Sequence, residues 1–225
     1  MFTEYFDYLY VEPSSFCNLK CPRCPRTTNK SNYKLENLSV DLFKQFLSDP
    51  VWKNVKIIEY GGNHGDPLMN PDLPQFIRWA HEIQPQAKQV VHTSGSHSPN
   101  IWKPIVKALT PEDEIYFSVD GLQSSNHQYR VGSRWDWIEQ AIQLSADKVP
   151  VLWKYIVFNF NQHQILEAIQ KAKDLGVSHF LLTKSHLFNG PWLDETGIDP
   201  MAPEPQCIAA TPDAGSQIEP MCQIS

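Results

Sequence analysis

The sequence predicts an α/β fold in which six βα repeats form a parallel sheet that closes only part of a barrel. The chain has 225 residues, of which 41% are hydrophobic, and this is enough for one substantial core. Apolar runs typical of strands alternate with segments of helical periodicity, as in a parallel sheet built from βα units. Six repeats in roughly 180 residues are too few for a closed eight-stranded barrel of about 250 residues, so we expect a partial, TIM-like barrel.

The predicted strands are six short apolar runs separated by helical segments. They cover residues 8–12, 55–60, 89–93, 114–119, 151–159 and 179–183. Reactive groups of parallel βα folds gather where the strands end. Each carboxyl end of these strands is therefore a place to search for chemistry.

Five helices are predicted between the strands. Ser39 is expected to cap the first helix, which carries one apolar stripe formed by Val40, Phe43, Phe46 and Leu47. The other helices cover residues 73–83, 101–109, 135–144 and 165–175. The last is expected to end at Gly176, because glycine is favoured where a helix reverses through positive φ.

Composition argues against several classes of protein. Residues 1–7 carry two acidic side chains and no basic one, and no apolar run approaches the roughly 20 residues of a membrane span, so we expect a cytoplasmic protein without a membrane partner. A net charge of −6 disfavours nucleic acid as a partner. Of five cysteines, three lie within eight residues, which favours metal ligation in a reducing compartment over disulfides.

These three cysteines lie in the run Cys-Asn-Leu-Lys-Cys-Pro-Arg-Cys, just after the first predicted strand. Cys17, Cys21 and Cys24 have the spacing C-x3-C-x2-C, from which thiolates can converge on one cubane iron–sulfur cluster and leave its fourth iron without a protein ligand. An open metal position is typical of a catalytic site. A zinc site and unliganded thiols stay open as alternatives, although no second Cys or His pair follows nearby at zinc spacing.

The spacing resembles the signature of the radical S-adenosylmethionine (radical SAM) superfamily, and the resemblance extends over residues 8–185. It implies an open barrel of six repeats and one catalytic [4Fe-4S] cluster on Cys17, Cys21 and Cys24. It also implies that S-adenosyl-L-methionine chelates the open iron through its amino and carboxylate groups. The implied reaction is reductive cleavage of this cofactor to a 5'-deoxyadenosyl radical, which removes hydrogen from a substrate.

The segment after the second strand resembles the glycine-rich G-G-E-P element of the superfamily, whose backbone carbonyls bind the methionine amino group. By this resemblance the cofactor-binding residues are Gly61, Gly62, Asn63, Gly65, Asp66 and Pro67. Asn63 and His64 interrupt the family pattern, and Asp66 stands where the family has glutamate. The alternative is an ordinary turn in which Asp66 caps the next element.

Later strand ends are similar to further elements of the family. Thr93 and Ser94 correspond to a hydroxyl-bearing strand end that lines the cofactor pocket, with helix capping as the alternative. Ser118 and Asp120 resemble an S-x-D-G segment that contacts the ribose. Arg130 resembles the arginine of an R-x-G element that faces the methionine carboxylate, a role that suits a guanidinium; a surface ion pair is the alternative.

The last two strand ends supply the remaining candidates. Asn159 resembles the polar residue that meets the adenine or ribose, and Leu182 offers an apolar contact to the adenine, with a place in the core as the alternative. Asn161 is expected to cap the helix that begins near Ile165. Three histidines near strand ends are candidates for substrate-side acid and base groups: His64, His92 and His97. A solvated or structurally bonded histidine is the alternative for each.

The predicted division of the chain is a radical SAM core over residues 1–185 and an irregular extension over residues 186–225 that folds over the barrel mouth. Cys207 and Cys222 lie in this extension. Some family members that modify peptides carry auxiliary-cluster cysteines in SPASM or twitch extensions at this position. Two cysteines cannot complete such a cluster, so we expect a remnant or truncated extension, with an incidental thiol pair as the alternative.

The resemblance leaves the substrate open between a peptide or protein and a small molecule. Five basic residues lie on and after the cysteine run, where they could offset cluster charge or dock an acidic electron donor such as a flavodoxin or ferredoxin: Lys20, Arg23, Arg26, Lys30 and Lys34. For Lys30 and Lys34 a solvated basic loop is the alternative. A zinc-stabilised α/β binding protein is the alternative from another class. So is a catalytically degenerate homologue that binds the cofactor without turnover.

Overall fold

A single sheet forms the centre of the computed structural model, which describes residues 6–29, 34–185, 193–196 and 198–204, and the backbone of 222–223. Six strands are parallel and lie in sequence order: β1 Tyr8–Val11, β2 Ile57–Tyr60, β3 Lys88–Thr93, β4 Glu114–Ser118, β5 Val151–Ile156 and β6 His179–Thr183. A two-residue strand, β7 Cys222–Gln223, pairs antiparallel with β6, so the tail is not irregular there. The predicted six-stranded parallel sheet of a partial barrel is confirmed.

Helices follow the strands as the βα pattern predicts. The described helices are α1 Pro25–Thr28, α2 Val40–Leu47, α3 Leu73–Ile83, α4 Pro99–Ala108, α5 Asn126–Tyr129, α6 Trp135–Ala146 and α7 Ile165–Asp174. The five longer ones were predicted, whereas the one-turn helices α1 and α5 were not. Among these helices none has the length and apolar composition that a bilayer span requires.

Local signals account for how two of these helices begin and end. The Ser39 side chain accepts a hydrogen bond from the Leu42 N–H of α2 at 3.2 Å, as a capping serine should. Gly176 follows the end of α7 with a φ of 77°, a conformation that glycine adopts without strain. Both predicted boundaries are therefore confirmed.

The two faces of the sheet have different surroundings, because successive side chains of a strand point to opposite sides. Helices cover one face: the rings of Trp102 in α4 and Phe117 in β4 lie 5.3 Å apart, and those of Trp135 in α6 and Trp153 in β5 lie 6.2 Å apart. The other face is lined by polar and aromatic side chains that are half-buried or exposed. We call it the open face, formed by Tyr8, Tyr10, Glu59, His92, Tyr116, Ser118 and Lys154.

The end of β5 differs from the predicted strand, which continued to residue 159. The chain turns after Ile156, and Asn161 is buried inside this turn. Its side-chain amide donates to the carbonyls of Asp120 and Ile156, both at 2.9 Å, and its oxygen accepts from the Phe158 N–H at 2.7 Å. The prediction that Asn161 caps a helix is wrong, because this side chain instead joins the ends of β4 and β5.

Candidate functional site

The three cysteines lie in the loop that leaves the carboxyl end of β1. This loop is ordered by its own backbone: the Cys24 N–H donates to the Cys21 carbonyl at 3.1 Å, and the Cys24 carbonyl accepts from the Thr27 N–H of α1 at 2.8 Å. The Cys17 sulfur accepts a hydrogen bond from the Leu19 N–H at 3.4 Å. The segment that carries the three cysteines thus forms a compact turn that leads into α1. We call it the cysteine loop.

The cysteine loop has its own apolar surroundings, separate from the main core of the sheet. Leu19, Cys21, Tyr129 and Phe158 form a second buried cluster, and partly buried side chains pack against it, among them Cys17 and Cys24. All three sulfurs are free thiols. An apolar shell of this kind limits the access of water to a metal site and thereby influences the reduction potential of the metal.

Burial changes the acidity of two of these thiols. It raises the pKa of Cys17 to about 11, and the nearby Asp66 carboxylate adds to this effect. Burial also raises the pKa of Cys21, although the adjacent Arg130 guanidinium opposes the shift. At neutral pH the metal-free thiols of Cys17 and Cys21 are therefore protonated, and their ligation of a metal as thiolates must release protons.

The arrangement of the metal-ligating side chains can be compared with the needs of a single metal ion and of a cubane cluster. Within the described residues, no group of three His, Cys, Asp or Glu side chains is placed to hold a single metal ion. In a cubane cluster each thiolate binds a different iron, so its ligands do not converge on one point. Cys17, Cys21 and Cys24 are half-buried or buried thiols of one short loop, as their spacing in the sequence predicted.

The glycine-rich segment after β2 packs directly against the cysteine loop. A Cβ on Gly65 would lie 2.1 Å from the Ser14 carbonyl oxygen and 2.6 Å from that of Phe16, so only glycine fits there. The Asp66 N–H donates to the Phe16 carbonyl at 2.8 Å. The segment held against the cysteine loop therefore contains four residues predicted from the resemblance: Gly61, Gly62, Gly65 and Pro67.

A carboxylate that sequence reasoning missed positions the middle of this segment. Glu12 follows β1, and its side chain accepts hydrogen bonds from the N–H groups of Asn63 at 3.0 Å and His64 at 3.3 Å. The Tyr10 hydroxyl also donates to it at 2.8 Å. The only signal in the sequence was a charged residue at a strand end.

Asp66 is the centre of a buried hydrogen-bond network between the ends of β2 and β3. It accepts from the Thr93 hydroxyl at 2.9 Å and from both the N–H and the hydroxyl of Ser94 at 3.0 Å. It also accepts from the Leu68 N–H at 3.1 Å, so the alternative that Asp66 caps the next turn is correct as well. His97 Nε2 lies 3.2 Å from its carboxylate.

This environment determines the charge of Asp66. Burial alone would raise its pKa, but His97 and the donated hydrogen bonds from Ser94 and Leu68 outweigh burial and hold the pKa below its ordinary value. Asp66 is therefore an anion at neutral pH. Because Thr93 and Ser94 direct their hydroxyls at this anion, the three residues act as one unit that holds the segment in place.

Asp120 and Arg130 form a second unit beside the cluster loop. Arg130 Nε donates to Asp120 Oδ2 at 2.6 Å, and the Ile156 N–H of β5 donates to Asp120 Oδ1 at 2.8 Å. The positive charge of the Arg130 guanidinium also acts on the Cys21 thiol, where it opposes the rise in pKa caused by burial. The expected alternative of a surface ion pair is wrong, because the Asp120 side chain is wholly buried and that of Arg130 is 17% exposed.

The three other predicted cofactor residues have different surroundings. Ser118 ends β4 on the open face, next to Lys154 in the sheet register. Asn159 donates its backbone N–H to the Met201 carbonyl at 3.1 Å and its side-chain amide to the Pro200 carbonyl. Leu182 pairs with Tyr155 on the helix-covered face and packs against the main core, so the structure does not bring it to the open face.

A polar group on the open face includes one of the three candidate histidines. His92 Nε2 lies 3.2 Å from Glu59 Oε1, and the Tyr8 hydroxyl donates to Glu59 Oε2. The His92 ring stacks on Tyr116 with centroids 4.5 Å apart. Burial lowers the pKa of His92, Glu59 opposes this shift and Lys154 adds to it. Of the predicted acid and base candidates, His92 is thus the one on the open face.

The basic side chains near the cysteines do not form the predicted surface as a set. Arg23 is buried in a bidentate ion pair with Asp199. Arg26 donates to the Ser15 carbonyl at 2.8 Å, and Lys34 pairs with Glu36. Lys20 is exposed, and Lys30 lies outside the described residues, as does Cys207. Because Arg23 is buried and paired with Asp199, its charge is not available to a docking partner.

The fold and the site together define an α/β partial-barrel protein with a cysteine-rich cluster loop at the end of its first strand. A profile of the radical SAM superfamily matches residues 11–195. The chain therefore belongs to the radical SAM superfamily, whose members use a [4Fe-4S] cluster and S-adenosylmethionine.

Individual relatives are distant. The chain is 24% identical over 179 residues to a GTP 3',8-cyclase of Helicobacter pylori (strain ATCC 700392 / 26695), a match that includes 77% of this chain and 54% of the relative. It thus spans about half the length of the curated relatives it matches. Among solved structures, Streptococcus suis SuiB bound to the precursor peptide SuiA has a TM-score of 0.64 at 18% identity, covering 83% of this chain and 41% of SuiB.

A second solved structure has a similar degree of likeness. The protein anSMEcpe, with bound AdoMet and the Kp18Cys peptide, has a TM-score of 0.65 at 14% identity. The match covers 89% of this chain and 56% of that protein. At these identities the likeness concerns the fold, which agrees with the parallel sheet described above.

Proposed function

We propose that this protein is a radical SAM enzyme that binds one [4Fe-4S] cluster and reductively cleaves S-adenosyl-L-methionine. The observation that carries the proposal is the C-x3-C-x2-C loop at the carboxyl end of β1 in a chain of this family. When bound, the cluster and S-adenosylmethionine would supply a 5'-deoxyadenosyl radical, with methionine as the other product of the one-electron reductive cleavage. This radical would remove hydrogen from the substrate.

The residues around the loop suit the binding of an amino acid group beside the cluster. In this proposal Gly61, Gly62 and Asn63 present their backbone to the methionine portion of the cofactor, because the Glu12 and Asp66 contacts hold that segment rigid. A segment held in this way loses little conformational freedom when a ligand binds.

Arg130 is proposed to face the methionine carboxylate. Its Nε is fixed by Asp120, and its charge acts on Cys21, so the guanidinium is held beside the cysteine loop before any ligand arrives. A guanidinium presents paired donors that match a carboxylate. Ser118 and Asn159 would then lie toward the nucleoside, whereas Leu182 is better regarded as a core residue.

The substrate is proposed to approach the open face, where His92, Glu59 and Lys154 offer polar contacts. SuiB has been solved with the precursor peptide SuiA, anSMEcpe has been solved with the Kp18Cys peptide, and the Helicobacter pylori relative is a GTP 3',8-cyclase. A peptide or protein and a small molecule therefore both remain candidates for this chain. The electron is proposed to come from a one-electron donor of the flavodoxin or ferredoxin class.

Anaerobic reconstitution with iron and sulfide tests the proposed function. We expect a [4Fe-4S] cluster by visible and electron paramagnetic resonance spectroscopy, and 5'-deoxyadenosine after addition of S-adenosylmethionine and reductant. Cys21→Ala should abolish both the cluster and the cleavage, because the two remaining thiolates would leave two of the four irons without a protein ligand. Cys207→Ala, a change outside the proposed ligands, is the matched control and should retain both.

Two outcomes would contradict this proposal. Stoichiometric zinc without 5'-deoxyadenosine would favour the zinc-stabilised binding protein. A cluster that forms without any cleavage of the cofactor would favour a homologue that binds without turnover.

A further inference from the structure

A short segment beyond the family match docks on the cysteine loop. We call residues 198–204 the strap. Asp199 is buried, and its carboxylate also accepts the Met201 N–H at 2.9 Å, while the Ala202 N–H donates to the Asp199 carbonyl at 2.9 Å. These bonds fold the strap into a compact turn around one buried carboxylate.

The strap contacts both the cluster loop and the end of β5. Met201 and Ala202 pack against the apolar cluster that contains Cys21 and Phe158. On the other side, Asn159 donates to two strap carbonyls, and the Glu204 N–H donates to Gln162 Oε1 at 2.7 Å. The strap therefore lies between the cysteines and the strand end where the cofactor nucleoside is proposed to bind.

A single buried ion pair joins the strap to the cysteine loop itself. Arg23 lies between Cys21 and Cys24, and both of its Nη atoms donate to the two carboxylate oxygens of Asp199. The side chains of Arg23 and Asp199 are only 4% and 1% exposed. A bidentate pair of this kind constrains direction as well as distance, so it fixes the strap relative to the loop.

We propose that the Arg23–Asp199 pair latches the strap onto the cysteine loop and makes it a wall of the cluster site that limits access of solvent and oxygen. Arg23 and Asp199 are then positioning residues. The inference rests on the proposed function for the identity of the cluster, whereas the docking of the strap on the thiols does not depend on it. If the latch opens, the apolar cluster that contains Cys21, and against which Cys17 and Cys24 pack, loses the cover of Met201 and Ala202.

Thiol alkylation of the metal-free full chain tests this proposal without any catalytic step. Asp199→Asn should increase the rate of iodoacetamide modification at Cys17, Cys21 and Cys24 by roughly tenfold, because reactivity follows the population of the open form. Peptide mass spectrometry measures each site. Asp136→Asn makes the same charge change in the exposed Arg134 pair and should leave the rates unchanged.

A second readout uses the reconstituted protein in air. The visible absorbance of the cluster should decay several-fold faster in Asp199→Asn than in wild type or Asp136→Asn. Arg23→Lys, which keeps the charge but loses the paired donors, should lie between them. Equal alkylation and decay rates in all folded variants would overturn the latch. Since alkylation requires no cluster, a failure to form 5'-deoxyadenosine would leave this result interpretable.

Hydrogen exchange keeps the proposal testable if Asp199→Asn does not fold. In the wild-type protein the Met201 and Ala202 amides should be protected, and Arg23→Lys should speed their exchange while the β3 amides stay unchanged. Exchange of Met201 and Ala202 at the rate of exposed loops in the wild-type protein would show that the strap is not latched.

Discussion

At the scale of single residues, buried carboxylates organise the site. Asp66 joins the glycine-rich segment to β3 and His97, and Asp120 joins β5 to Arg130. Asp199 joins the strap to the cysteine loop through Arg23. A buried charge is tolerated only when donors surround it, so each carboxylate determines where its donors lie.

The depressed pKa of Asp66 leads to a prediction about stability and pH. Because its folded pKa lies below the ordinary value of about 3.9, the carboxylate contributes stability that is fully present above that pH. This contribution is lost as the pH falls through the folded pKa. Asp66→Asn should lower the free energy of unfolding by about 3 kcal/mol at neutral pH. The variant should also lose stability less steeply than wild type under acid conditions.

Denaturant unfolding at several pH values measures both effects. Asp49→Asn is the matched control, because Asp49 also precedes a proline and caps a single turn, with the Val51 N–H donating at 2.9 Å, but it is exposed. We expect it to cost about 1 kcal/mol or less. Parallel pH profiles for wild type and Asp66→Asn would show that the network contributes nothing through its charge.

At the scale of elements, side chains join the ends of neighbouring strands. Asn161 bridges the ends of β4 and β5, and Trp153 Nε1 donates to the Val119 carbonyl at 2.8 Å. Beyond β5 the strap continues this arrangement through Asn159. Parallel strands end at one edge of the sheet, so such bonds stabilise the region where ligands bind in this architecture.

Helix capping provides a prediction at this scale. Ser39→Ala should lower the free energy of unfolding by about 1 kcal/mol, because it removes the acceptor of the Leu42 N–H in α2. Ser98 occupies the same position before α4 without a side-chain capping bond, so Ser98→Ala should cost only a few tenths of a kcal/mol. Urea titrations with unchanged m values provide the comparison. Equal losses in the two variants would contradict the assigned cap.

At the scale of the whole molecule, two apolar clusters are separate. The main core lies between the sheet and its helices, whereas the smaller cluster surrounds the cysteine loop and the strap. The main core contains none of the three cysteines. The barrel should therefore fold without a bound iron–sulfur cluster. Binding of the iron–sulfur cluster should add stability at the cysteine loop.

Circular dichroism of the metal-free and reconstituted protein measures both the folding of the barrel and the added stability. Both forms should show the same far-ultraviolet spectrum. A ligand that binds only the folded state raises the Tm, here by about 5 to 10 °C for a stabilisation of a few kcal/mol. Cys21→Ala, treated in the same way with iron and sulfide, should show no increase. A metal-free chain without a cooperative transition would contradict the separation of the two clusters.

Local patterns in the sequence predicted much of the architecture and the position of the site. Alternating and helical apolar periods indicated the six parallel strands and five longer helices, and residue type indicated Ser39 and Gly176 at helix boundaries. The cysteine spacing indicated the loop that belongs to this family. These features depend on residues close together in the chain, where a residue type and a spacing are sufficient.

Only the tertiary structure decided the partners of the charged and polar side chains. Arg23 pairs with Asp199, which is 176 positions away, and Asn161 joins two strand ends where a helix cap was expected. Leu182 faces the helices because β6 pairs with β5 in one particular register. The physical reason is that a buried charge or amide is satisfied by whichever donors the packed chain brings near, and packing depends on contacts that no local pattern records.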